Sequence, residues 1–293
     1  AIHSMKPMNK SIIILLLIIL TAGCKDYIQI FETKSTNVKK SNDQFVFEND
    51  SISIVYSFWY EKGLMLFSIE NKTSKPIYID WKKSSYIDNQ VKLNYWNDGS
   101  TTTTSSVTST SHYDYYESGT TLTPNQFILS EYLETGKSES TSLAISKTKK
   151  PERITFVPPR SITTRTGFFV YPIKYFKFGK SPKYVEVESQ KKAGKTIKVY
   201  EKQFGYENSP LACRNFLTFS FSEDFKEEFY VDNDFYISKV QEMELWEFQE
   251  YKYDETGKRF IRDSNGYPKL FSRYRKESSF YIHIDRYYRV RGK

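Results

Sequence analysis

Apolar and polar residues alternate with a period of two along much of the chain. Ile52, Ile54, Tyr56 and Phe58 share one face of residues 51–59, and the apolar run 64–70 follows after Glu61-Lys62-Gly63. That is the grammar of a β-hairpin. Asn71 to Pro76 reads as a turn by composition. Ile77, Ile79 and Trp81 alternate next, then Val91, Leu93 and Tyr95, then Ile154 and Phe156 before Pro158-Pro159. Val185/Val187 and Ile197/Val199 flank a Lys/Gly turn at 190–195 and predict a second hairpin. Leu217, Phe219 and Phe221 form another face, and Phe235 with Ile237 a shorter one. Helical periodicity is weak. In residues 238–250, Val240, Met243 and Glu247 fit a helix, while Met243, Leu245 and Glu247 fit a strand equally well. Short strands separated by turns predict an all-β chain, an antiparallel sandwich.

The N-terminus departs from this alternation. Residues 12–20 read IIILLLIIL after Lys6 and Lys10, and Thr21-Ala22-Gly23-Cys24 follow. A membrane-spanning helix needs roughly 20 apolar residues, so nine predict a cleaved leader. The stretch resembles a type II (lipoprotein) signal peptide, with Thr21 where Leu is usual and Leu20 one place earlier. The resemblance implies acylation of Cys24 and a body held at a membrane through that anchor; the alternative is an ordinary leader with a coincidental cysteine. Cys24-Lys25-Asp26 also resembles the start of surface-export signals on envelope lipoproteins of Bacteroidota. The expected place is the cell envelope, lipid-anchored at the outer membrane, facing the periplasm or the surface. Residues 1–4 precede Met5 and read as an upstream remnant.

The domain reading is a leader at 1–23, a lipidated tether at 24–43, a sandwich body at 44–240 with a loop at 98–125, and a basic aromatic extension at 241–293. The tether is expected because residues 25–43 are polar and lack a sustained period. The stretch from Tyr56 to Trp81 resembles immunoglobulin-like sandwiches of exported bacterial proteins, which implies a fold and leaves function open.

Composition narrows the classes. Of 293 residues, 17% are aromatic, too many for a disordered chain, and two cysteines cannot make a disulfide scaffold. The net charge of +8 is concentrated: residues 251–293 hold 12 Lys/Arg against 5 Asp/Glu. Arg273, Arg275, Lys276, Arg289 and Arg291 stand there among aromatics. Such a patch reads first as an ordinary terminal hairpin with a solvated basic face, with contact to anionic lipid or polysaccharide as the alternative, and no nucleic-acid partner is expected for an exported protein. Residues 100–111 are Ser/Thr at 11 of 12 positions, which predicts a surface loop. Tyr113, Tyr115 and Tyr116 follow it as candidate surface contacts, since a tyrosine face packs on a sugar ring. Asp50-Ser51-Ile52 resembles the O-glycan acceptor motif of Bacteroidota.

No phosphate loop, H-E-x-x-H, C-x-x-C or G-x-S-x-G occurs. Cys213 is expected as a small buried hydrophobe. His283 and Asp285 share a strand face without a third catalytic partner. Trp59, Trp81, Trp96 and Trp246 are expected mainly in the core, with a sugar platform as the alternative. The expectation is therefore a binding or structural protein with no cofactor, with a glycan-active enzyme or a subunit of a surface assembly as the other readings. The oligomeric state is left open.

Overall fold

A computed structural model describes residues 26–96, 101–102, 148–149, 152–171, 175–179, 182–262 and 270–284. Its strands are β1 (Tyr27–Lys34), β2 (Lys39–Ser41), β3 (Gln44–Glu48), β4 (Ile52–Ser57), β5 (Leu64–Asn71), β6 (Ile77–Asp80), β7 (Ser85–Asp88) and β8 (Val91–Asn94). There follow β9 (Thr101–Thr102), β10 (Thr148–Lys149), β11 (Ile154–Val157), β12 (Ile162–Phe169), β13 (Tyr184–Glu188) and β14 (Thr196–Gln203). The last are β15 (Ala212–Ser220), β16 (Glu228–Glu244), β17 (Glu250–Tyr251), β18 (Leu270–Phe271) and β19 (Ser279–Ile284), with a 3-10 turn at Tyr206–Asn208 and an α-helical turn, α1 (Leu245–Phe248).

Two antiparallel sheets pack face to face as a sandwich. The smaller has the order β12-β5-β4-β3-β2. The larger has ten strands with the spine β11-β6-β15-β16-β1-β19. In it β16 carries β1 along one edge, and β15 followed by β14 along the other. The alternation predicted for residues 52–58 is correct in phase: Ile52, Ile54, Tyr56 and Phe58 are fully buried. They meet Phe235 of the larger sheet, whose ring lies 4.8 Å from Tyr56 and 5.0 Å from Phe58. Phe31 and Phe280 stack at 4.7 Å in the same interior.

The predicted turns are also in place. Gly63 has φ +71°, and a Cβ there would lie 2.5 Å from Val170 Cγ2 and 2.9 Å from Phe280. Glycine thus permits both the backbone and the close packing of the β4–β5 hairpin on the core. Asn71, fully buried, donates to the carbonyls of Lys75, Val157 and Pro158 at 2.7–3.1 Å and accepts from Thr73. Its side chain ties the 71–76 turn to β11.

Three expectations change. Within the stretch read as a tether, residues 27–34 form β1, between β16 and β19 in the larger sheet. Ile28 and Ile30 are buried on one face, Gln29 and Phe31 on the other. A strand covered on both sides carries no polar alternation to read. On β11 the buried side chain is Val157, and Phe156 is 53% exposed. The inward phase is fixed by Thr155, whose hydroxyl accepts the Trp81 indole N–H at 2.8 Å. On β8, Val91 and Leu93 are 62% and 38% exposed; Leu93 lies opposite the buried Tyr86, on the core side of the sheet, but at an edge that nothing among the described residues covers.

The ambiguous stretch 238–250 is strand to Glu244 and then α1. A bulge explains its mixed period. Glu32 pairs with Lys239 and Thr33 with Ile237, so Ser238 is the extra residue. The bulge shifts the alternation by one, which keeps Val240 on the inner face with Ile237 and turns Met243 outward. Among the described residues no helix is long and apolar enough to cross a membrane.

Candidate functional site

The outer face of the larger sheet, where β13 and β14 extend it beside β16, is covered by α1 and the chain at Tyr274. Ile28, Ile30, Val199, Met243, Phe248 and Tyr281 form a second apolar cluster there, flanked by Trp59, Val187 and Tyr274. Beside this cluster opens a cleft of about 240 Å³. Ile30 and Val187 contribute its apolar lining, and Glu32, Glu188, Lys239, Arg273, Tyr274 and Lys276 its polar wall.

The charges in this wall are not paired one to one. The Glu32 carboxylate receives two ammonium groups, Lys239 at 3.0 Å and Lys276 at 3.7 Å. Arg273 is paired with Glu250 through Nε at 2.7 Å. With Glu188 in the same wall the lysines and glutamates number two each, but both ammonium groups converge on Glu32, and Lys276 is the more loosely held. At such half-exposed pairs each contact is worth about 0–1 kcal/mol, so a competing anion displaces one at little cost.

A buried carboxylate holds the cleft's walls in place. Glu247 of α1 is 3% exposed. Ser189 Oγ lies 2.9 and 3.0 Å from its two oxygens, the Lys191 backbone N–H donates at 3.3 Å, and the Tyr274 hydroxyl donates at 2.8 Å. These bonds join three segments distant in sequence: the β13–β14 turn, α1 and the chain after β18. A carboxylate fully supplied with donors is tolerated in the interior. Burial, reinforced by the bond to Glu247, pushes the Tyr274 hydroxyl well above its ordinary range, so it stays a donor.

Of the basic residues singled out in the sequence, Arg273 and Lys276 line the cleft. Arg275 is turned elsewhere: its guanidinium bonds Glu277 at 2.7–2.8 Å, and Glu277 in turn accepts from Ser57 at the end of β4. Cys24, Tyr113, Tyr115, Tyr116, Arg289 and Arg291 lie outside the described residues, as does Asp285. His283 Nδ1 lies 3.8 Å from Glu61. Cys213 is buried, and burial pushes its thiol up to about 12. Trp81 is buried and Trp246 is 43% exposed.

Sequence reading did not find Glu32, Glu188, Lys239 or Glu247 as site residues. Glu32 sits in the stretch read as a tether, and Lys239 reaches the cleft only through the β1–β16 pairing. Among the described residues no group of three or more His, Cys, Asp or Glu is placed to hold a metal ion. No family model, curated protein or solved structure matches the chain.

Proposed function

We propose that the protein is a cell-envelope lipoprotein, anchored through Cys24 at the outer membrane, whose outer cleft binds an anionic group on an envelope polysaccharide. The single observation that carries the binding role is the convergence of Lys239 and Lys276 on Glu32, beside the apolar lining from Ile30 and Val187. A uronate or phosphate on a sugar matches this chemistry: the anion takes the loosely held Lys276 ammonium, and the ring lies on the apolar floor. The polar-tipped Tyr274 beside it suits a sugar edge. The anchor is supported by the leader pattern ending at Cys24. The role read here is recognition rather than catalysis.

The test is binding of the full lipid-anchored protein, in detergent, to uronate-bearing, phosphate-bearing and neutral glycans. Expected is binding of an acidic class that weakens with salt and with Lys239→Gln. Equal retention of neutral and acidic glycans, or retention of neither, would overturn the reading. A second reading, a subunit of a surface assembly, is favoured by β8. Among the described strands it pairs with β7 alone, and it exposes Val91 and Leu93. Light scattering of the purified protein separates monomer from assembly.

A further inference from the structure

The distance from the anchor to the fold is very short. Cys24 precedes Asp26 by two residues, so their Cα atoms lie within about 8 Å of each other. Asp26 is already part of the fold, since its carbonyl accepts the Leu245 backbone N–H at 2.8 Å. The headgroup layer of a leaflet is itself about 5–8 Å deep. A body joined to an acylated Cys24 by so short a link has no room to stand clear of the bilayer. The end of the sandwich at Tyr27 and α1 must rest on the lipid.

That end has the chemistry of a membrane interface. Next to Leu245 stands Trp246, 43% exposed. Lys192 and Lys191 hold their ammonium groups 4.9 and 5.7 Å from its ring. Lys191 also donates to the Trp246 and Gln249 carbonyls at 2.7 and 2.9 Å, which fixes the basic turn against α1. Glu244 is the acid beside them, and it accepts the Trp246 indole N–H at 2.6 Å. The chain leaving α1 then exposes Tyr251, Tyr253 and Phe260, the two tyrosines lying 5.0 and 4.8 Å from the phenylalanine ring. Exposed Trp and Tyr with neighbouring lysines favour the headgroup level, where the rings sit among acyl carbonyls and the ammonium groups meet lipid phosphate.

We infer that the α1 end of the sandwich, with Trp246 at its centre and Lys191 and Lys192 beside it, docks on an anionic phospholipid surface. This rests on the Cys24 anchor of the proposed function and gives the body an orientation. Ile30 and Glu32 lie three and five residues along β1 from Tyr27, about 10–17 Å. The cleft then opens sideways above the headgroups, where a polysaccharide reaches it.

The test uses the native lipidated protein reconstituted in phosphatidylglycerol-containing vesicles with lipids brominated at shallow or deep positions. Trp246 emission is taken as the difference between wild type and Trp246→Phe, and palmitate incorporation is followed on the same protein. Expected is quenching of Trp246 by shallow bromines, lost with Trp246→Phe and weakened by Lys192→Glu. Palmitate incorporated with Trp246 unquenched would overturn the docking face and leave the anchor standing. Quenching without palmitate would remove the anchor and support the face. Neither signal would remove both. Unchanged circular dichroism of both variants shows that a lost signal is not unfolding.

Discussion

Among the described residues, the larger sheet meets a second sheet on its inner face through a cluster of 27 buried apolar side chains; on its outer face the buried apolar cluster numbers six, Phe248 of α1 among them. The inner contact is dense with rings, Phe235 alone touching Phe45, Tyr56 and Phe58 within 5.2 Å. The outer contact relies in addition on the bonds that Glu247 accepts. Burial at roughly 25 cal/mol per Å² scales with area, so the inner face holds the fold. The outer face holds a shape, and a few directional bonds fix where Arg273 and Tyr274 stand.

The contrast is broken most directly in the interior. Phe235→Ala is expected to cost about 3–5 kcal/mol, read as a lower guanidinium midpoint with unchanged slope. A loss below about 1 kcal/mol would mean that the interior is not where the fold is held. Glu247→Ala is expected to cost less, about 2–3 kcal/mol, because it orphans the donors of Ser189, Lys191 and Tyr274. Amide exchange should show β13–β14 losing protection while β4–β5 keeps it. Loss on both faces together would make the sandwich one cooperative unit and abolish the distinction.

Alkaline pH sharpens the same comparison. The Cys213 thiol, ordinarily near 9, is pushed up to about 12 inside the inner core. Above pH 9 the unfolded chain gives up that proton and the folded chain keeps it. Stability should therefore be complete below about pH 9 and fall toward pH 12, by up to about 1.4 kcal/mol per pH unit from this group. Cys213→Ala should flatten the slope. A disulfide reagent should label Cys213 faster in Phe235→Ala than in Glu247→Ala; equal rates would contradict the separation of the faces. The smallest effect is at the cleft. Lys276→Gln should change stability by less than about 0.5 kcal/mol, since Glu32 keeps Lys239, while weakening acidic-glycan binding.

The interior was legible from sequence where a strand has one wet face. The alternation at Ile52 to Phe58 and the hairpin of Val185/Val187 with Ile197/Val199 both match, the latter with Val185 opposite Val199 and Val187 opposite Ile197. Reading failed where both faces are covered, as in β1, and where a bulge shifts the phase, as at Ser238. It failed also at Phe156, where hydrophobicity pointed to the residue beside the buried one. The cleft was half legible. Arg273 and Lys276 stand out in a basic stretch, but Glu32 joins them across more than 200 residues of chain, a meeting that only the sheet register sets.

The pairing of β1 with β19 and the far end of β16 has a consequence for how the chain is made. Tyr27 lies opposite Ile284 and Glu244, so an early-emerging segment waits for partners over 200 residues downstream. Closing loops of that length is slow. During synthesis the first strand stays without its neighbours until β16 and β19 have followed it, so completion of the larger sheet is a late event. In that interval β1 is an unpaired apolar strand open to aggregation.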